Sequence, residues 1–152
     1  MNNHLTLNKQ LCFALYETTN EFIRLYSQVL KSFGLTYPQY LVLLCLWEQD
    51  GISMKELGNK LNMGVGTLNP IVSRMVQNQW LDKKRSNKDE RMVIIHLLKK
   101  AQTEKSKIMN HISSRIEECG LDIEEYEALM KHVSNLNSKL KNQQMKEAAS
   151  LE

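Results

Sequence analysis

Residues 53–97 constrain the fold more than any other stretch, because the hydrophobic period changes there from helical to strand-like. Its first part reads SMKELGNKLNMGVGTLNPIVSRMVQNQW. Ser53 and Glu56 have the spacing of a capping box, and Leu57 and Leu61 continue a short amphipathic helix. Asn62, Gly64 and Gly66 break the pattern. Leu68, Ile71, Val72 and Met75 then recur at helical spacing, with Thr67, Asn69, Ser73 and Arg74 on the other side. Two short helices around a Gly-containing turn form a helix-turn-helix pattern.

The continuation, LDKKRSNKDERMVIIHL, has two β-prone arms around a polar tip, with Val93, Ile95 and Leu97 alternating against Ile94 and His96. The hairpin holds Lys83, Lys84, Arg85, Lys88 and Arg91. A basic hairpin directly after a helix-turn-helix is where a winged helix touches DNA backbone or minor groove. The plainer alternative is a solvated hairpin beside an ordinary helix pair. Lys55, at the start of the first short helix, joins the candidate DNA-binding set.

Whole-chain charge decides little, since the formal net charge over 152 residues is +3. Its distribution says more: residues 83–91 carry five basic and two acidic side chains, whereas residues 117–127 carry six carboxylates and no base. No apolar run is long enough for a membrane span, and the amino terminus lacks a signal-peptide pattern, so a cytoplasmic protein is expected. Cys12, Cys45 and Cys119 are too few and too scattered for a zinc cluster or a secreted disulfide framework. No metal or other cofactor motif is apparent.

Around the winged segment, residues 5–33 contain no Gly or Pro until the chain nears Gly34, and Leu11, Leu15, Phe22, Leu25 and Val29 mark one helical face. Thr36 and Gln39 cap a second, almost wholly apolar helix through Trp47, within which Cys45 reads as a small buried side chain. A helix over about 100–119 bears Ile108, Ile112, Ile116 and Cys119 in one stripe. Asp122 and Glu125 cap a last helix with a Tyr126, Leu129, Val133, Leu136, Leu140 seam. The first and last two helices offer more apolar surface than one small lobe can cover, which points to a homodimer. The expected fold is therefore mainly α with a small β-hairpin wing. It is one chain over 1–145, with dimerisation helices at 5–33 and 100–142, a DNA-binding lobe at 36–98, and a polar tail at 146–152 that resembles an expression remnant.

With those segments placed, the sequence resembles the MarR family of winged helix-turn-helix regulators over roughly residues 8–140, and within it the OhrR/MgrA/SarZ-like subgroup that senses oxidants through a thiol. QLCFALY at 10–16, LTYPQYLVLLCLWE at 35–48, GTLNPIVSRM at 66–75 and RSNKDERMVIIHL at 85–97 carry the resemblance. Asp89-x-Arg91 matches the wing signature of the whole family, whereas LCF-x-x-Y and LTYPQY match the subgroup. One departure is Gly64-Val65-Gly66-Thr67-Leu68-Asn69-Pro70 where relatives commonly read Asp-Ser-Gly-Thr-Leu-Thr-Pro, which removes a good helix cap.

The resemblance implies a homodimeric DNA-binding transcriptional regulator, a repressor, whose hold on a pseudo-palindromic operator weakens when an organic hydroperoxide or other oxidant attacks Cys12. It puts Tyr16, Tyr26 and Tyr37 around that thiol, Thr67, Asn69 and Arg74 on the recognition helix, and Arg91 in the minor groove. Arg85 and Lys88 would lie on the backbone. Asp89 either orients Arg91 or forms a simple surface ion pair with it. Cys119 corresponds to the resolving cysteine of some relatives, but equally continues an Ile stripe and could only fill space.

Cys12 and Tyr16 are four apart and share a helix face, where a phenol can donate to sulfur. Tyr26 lies fourteen residues on, roughly 21 Å along a straight helix, so it can reach only the Cys12 of a second copy. Without its tyrosines Cys12 would read as a small core residue. Two other functions compete: a MarR-type regulator released by a small phenolic or apolar ligand, and a thiol peroxidase. The latter lacks a CxxC, an activating Arg or His, and any cofactor motif, so no enzyme is expected.

Overall fold

A computed structural model describes residues 6–87, 89 and 91–149; Lys88, at the hairpin tip, lies outside the described residues. After a 3-10 turn at Leu7–Lys9, the elements are α1 (Leu11–Lys31), α2 (Tyr37–Glu48), β1 (Ile52–Ser53), α3 (Met54–Leu61), α4 (Val65–Gln77), β2 (Leu81–Arg85), β3 (Val93–Leu97), α5 (Lys99–Glu117) and α6 (Ile123–Ala149). The chain divides into two compact units, residues 1–112 and 113–152.

In the first unit, α2 is the centre. Tyr40, Val42, Leu43, Cys45 and Leu46 are buried, and the helix packs on α1, α3, α4 and β3. Having apolar side chains nearly all round, it suits a position enclosed by other elements. Gly34, at φ +67°, ends the preceding turn, and Gln39 Oε1 accepts the Thr36 N–H at 2.9 Å to start α2. The helix-turn-helix closes the core from the other side through Leu57, Leu68, Val72 and Met75, all without exposed surface.

The capping box at Ser53 forms as its spacing predicts: the Glu56 N–H donates to Ser53 Oγ at 3.1 Å, and the Ser53 N–H to Glu56 Oε2 at 2.8 Å. These bonds, the main-chain one first, hold the Glu56 carboxyl below its ordinary range. At the other end of α3, Asn62 takes a left-handed φ of 52° and the Met63 N–H returns to the Gly58 carbonyl at 2.9 Å. A Cβ on Gly58 would lie 2.7 Å from the Met63 oxygen, so this tight turn excludes a side chain there.

The hairpin pairs Arg85 with Val93 and Leu81 with Leu97. It gains a third strand that the sequence pattern did not indicate: β1 pairs antiparallel with β3, Ile52 opposite Ile95, giving the order β1-β3-β2. Asp50 Oδ1 accepts the Leu97 N–H at 2.8 Å, securing the wing's base from the same side. The expected alternation in β3 is muted, since Ile95 alone is buried and its neighbours are half-buried.

Three expected boundaries shift. The long first helix begins at Leu11, after the 3-10 turn and an extended Gln10, rather than near residue 5, and ends at Lys31. In α5, Ala101, Ile108 and Ile112 are buried, but the helix ends at Glu117, so Cys119 lies in the turn before Gly120 and is exposed instead of completing the Ile stripe. In the second unit, α6 runs to Ala149, past the expected limit at 142 and into the segment read as a tail. Asp122 Oδ1 caps it by accepting the Glu125 N–H at 2.8 Å. Among the described residues, no helix is long and apolar enough to cross a membrane.

Candidate nucleic-acid interface and thiol cluster

Helix α4 separates its faces cleanly. Leu68, Val72 and Met75 turn inward, while Thr67, Asn69, Ser73 and Arg74 are all exposed. Despite the missing side-chain cap, the helix starts at Val65: Gly64 adopts an extended conformation and its carbonyl accepts both the Thr67 and Leu68 N–H groups at 3.0 Å. Pro70 stands inside the helix and is exposed, supplying no N–H to the preceding turn.

The wing is fastened to this helix. Lys83 Nζ donates to Ser73 Oγ at 3.1 Å, so Ser73, expected as a DNA contact, is engaged with strand β2. At the tip, Asp89 Oδ1 accepts the main-chain N–H of Arg91 at 3.0 Å, and the Asp89 carbonyl accepts the Met92 N–H at 2.9 Å. Asp89 thus shapes the backbone that presents Arg91. Arg85 and Arg91 are both exposed. Between α3, the start of α4 and the wing lies a cleft of about 440 Å³. Lys55, Lys83 and Arg91 line it together with Asn69, over apolar side chains from Met54, Val65, Met92 and Val93. Of the candidate DNA-binding set drawn from sequence, Lys55, Asn69 and Arg91 meet at this cleft, and the set omitted the two methionines and Val65 that line it with them. The helical spacing of Val65 with Leu68 and Val72 could have drawn attention to it.

The thiol residues fall into separate groups within one chain. Cys12 is exposed in the first turn of α1, and Tyr16, one turn on, is 64% exposed, with its ring beside Phe13 at 6.4 Å. Tyr26 belongs to an aromatic cluster between α1 and α2: its ring lies 5.5 Å from Tyr37 and 5.6 Å from Tyr40. Tyr40 donates its hydroxyl to Met109 Sδ at 3.6 Å, and burial raises the Tyr37 phenol above its ordinary value. Since Cys12 and Tyr26 share the helix α1, their separation is about 21 Å. Cys45 is buried, and that burial raises its thiol above the ordinary value. In the second unit, Cys119 is exposed and donates to the Arg115 carbonyl at 3.3 Å.

Comparison with known proteins accords with this arrangement. The family described as transcriptional regulator SarA/Rot matches residues 24–108. The organic hydroperoxide resistance transcriptional regulator of Bacillus subtilis is 43% identical over 95 residues, covering 62% of this chain and 65% of that protein, just under two thirds of its length. The regulator MgrA of Staphylococcus aureus is 38% identical over 111 residues, 72% of this chain and 76% of MgrA. Among solved structures, AbfR of Staphylococcus epidermidis in its reduced, DNA-bound form is 34% identical, with a TM-score of 0.82 over 93% of this chain and 98% of AbfR. Its disulfide-formed structure, also 34% identical, gives 0.67 over 90% of each chain. The matching segment, a recognition helix with a basic wing fastened to it, and these relatives together make the chain a member of the SarA/Rot family of MarR-type winged-helix regulators, which bind DNA to regulate transcription and are not enzymes.

Proposed function

We propose that this regulator works as a homodimeric repressor that releases its operator when Cys12 is oxidised by an organic hydroperoxide or a similar oxidant. Helix α1 together with α5 and α6 pairs with a second copy, and residues 36–98 hold the DNA. The observation that carries the reading is the stranded thiol: Cys12 and Tyr16 stand exposed at one end of α1, far from Tyr26 and Tyr37 in the same chain. An antiparallel pairing of two first helices brings Cys12 of one copy to the tyrosine pair of the other. Phenol donors there favour the thiolate. That composite pocket couples sulfur chemistry to the spacing of two recognition helices.

The thiolate attacks the outer peroxide oxygen, giving sulfenic acid and an alkoxide that leaves as the alcohol. The Cys119 thiol of the second copy then displaces hydroxide from that sulfur, forming an intersubunit disulfide and water. The curated relative named for organic hydroperoxide resistance, and AbfR solved in reduced and disulfide-formed states, support this chemistry.

On DNA, α4 enters the major groove with Thr67 and Asn69 near base edges and Arg74 nearer phosphate. Arg91 enters the minor groove, while Lys55, Arg85 and Lys88 meet the backbone. Ser73 contributes by holding Lys83, and through it the wing. Affinity should fall steeply with salt, as about six to ten phosphates are neutralised per dimer. The test is Cys12→Ser: it should bind operator as the wild type does, yet stay bound in cumene hydroperoxide. Continued release by that variant would overturn thiol sensing at Cys12 and favour a small apolar ligand or another thiol.

A further inference from the structure

Val65 is the one large apolar side chain of α4 that the core leaves uncovered, at 45% exposure, although it continues the Leu68 and Val72 stripe by helical spacing. The stripe thus outlasts the core at the first turn of α4. On either side, Gly64 and Gly66 are exposed, and a Cβ at either position would meet nothing within 4 Å. A branched apolar group therefore stands between two bare stretches of backbone that let a flat surface approach. One turn on, at the i+4 position, Asn69 shares its face. Both line the cleft edged by Lys55, Lys83 and Arg91, whose charges suit a polyanion.

We infer that Val65 is a sequence-reading residue, packing on the C5-methyl of a thymine while Asn69 pairs with a neighbouring adenine. The inference rests on α4 lying in the major groove, as proposed above, and adds what is read there. In that groove the thymine methyl is the apolar group of the base-pair edge, and adenine offers the N6 donor and N7 acceptor that an Asn amide matches. Four residues along a helix rise about 6 Å, close to two base-pair steps of about 3.4 Å, so the thymine and adenine belong within two steps of each other. Burying an exposed valine against that methyl recovers the cost of leaving it in water. Lys55 holds the backbone beside those bases without choosing a sequence, and Arg91 reaches the neighbouring minor groove.

The test begins with selection from a randomised duplex library by the full chain, by Val65→Ser and by Val65→Asn, neither of which offers a side-chain methyl, with the fold of each checked by its melting profile. Each thymine of the selected site is then replaced singly by deoxyuridine, which removes only the methyl. The wild type should show one thymine per half-site whose replacement weakens binding about fourfold, the value of one buried methyl. Both variants should bind the unmodified site more weakly and be indifferent to that replacement. A wild type without any such thymine, or variants that keep the full sensitivity, would overturn the inference while leaving the groove assignment standing. Loss of all sequence selectivity by the wild type would remove the groove assignment as well.

Discussion

The stretch from Ile52 to Leu97 and the last helix, Ile123–Ala149, are both rich in apolar side chains at regular spacing, yet they treat them in opposite ways. In the first, Leu57, Leu68, Val72, Met75, Leu81 and Ile95 have no exposed surface. In the second, Leu129, Val133 and Leu140 are each about half exposed, at 47%, 48% and 56%. The winged lobe is a finished object within one chain. The last helix leaves its stripe half uncovered, and exposed apolar stripes of this kind mark association surfaces. The same contrast separates Lys55, Asn69 and Arg91, which line one cleft, from Cys12 and the Tyr26 and Tyr37 pair, which one chain keeps apart.

The sharpest way to break this comparison is a matched pair of truncations. Leu68→Ala should cost about 3 kcal/mol of unfolding free energy, because it leaves a cavity under α4. Leu140→Ala should hardly move the melting of the lobe, but it should shift the chain toward monomer in sedimentation. Equal losses of lobe stability would mean that α6 is as fully packed as the lobe. Next in size, Arg91→Ala should lower operator affinity roughly tenfold and reduce the slope of log affinity against log salt by about one, measured by anisotropy across a salt series. An unchanged slope would take Arg91 off the DNA.

A smaller effect belongs to the cap that joins β1 to α3. Ser53→Ala should cost about 1 kcal/mol in chemical denaturation. Its reciprocal partner adds a pH dependence: the Glu56 carboxyl is held below its ordinary value, so it stabilises the fold above that ordinary value. This contribution is lost as the pH falls through the lowered folded value. Glu56→Gln should therefore flatten the acid limb of the stability profile and leave its alkaline limb alone.

Much of this was readable in the residues because it depended on local rules. The Ser53 and Glu56 box, the Thr36 and Gln39 start of α2, the Asn62 turn and the inward face of α4 follow from spacing and capping within a few positions. Strand β1 was not readable, since two residues set no period and their pairing with Ile94 and Ile95 crosses over forty positions. The bond from Lys83 to Ser73 and the cleft under Val65 depend likewise on how the wing folds back. Cys119 shows the limit of periodicity: its spacing from Ile116 fitted a stripe, but the helix had already ended at Glu117. The family resemblance supplied the roles of Cys12 and the tyrosines, which no local rule assigns.

The most direct test of the account is the crystal structure of the reduced homodimer, measured from Cys12 Sγ to the phenol oxygens around it. Hydroxyls of Tyr26 and Tyr37 from the partner subunit should lie within hydrogen-bonding reach of that sulfur, beside Tyr16 of its own chain. A dimer in which Cys12 lies remote from the partner's tyrosines, or a chain that remains monomeric, would contradict it.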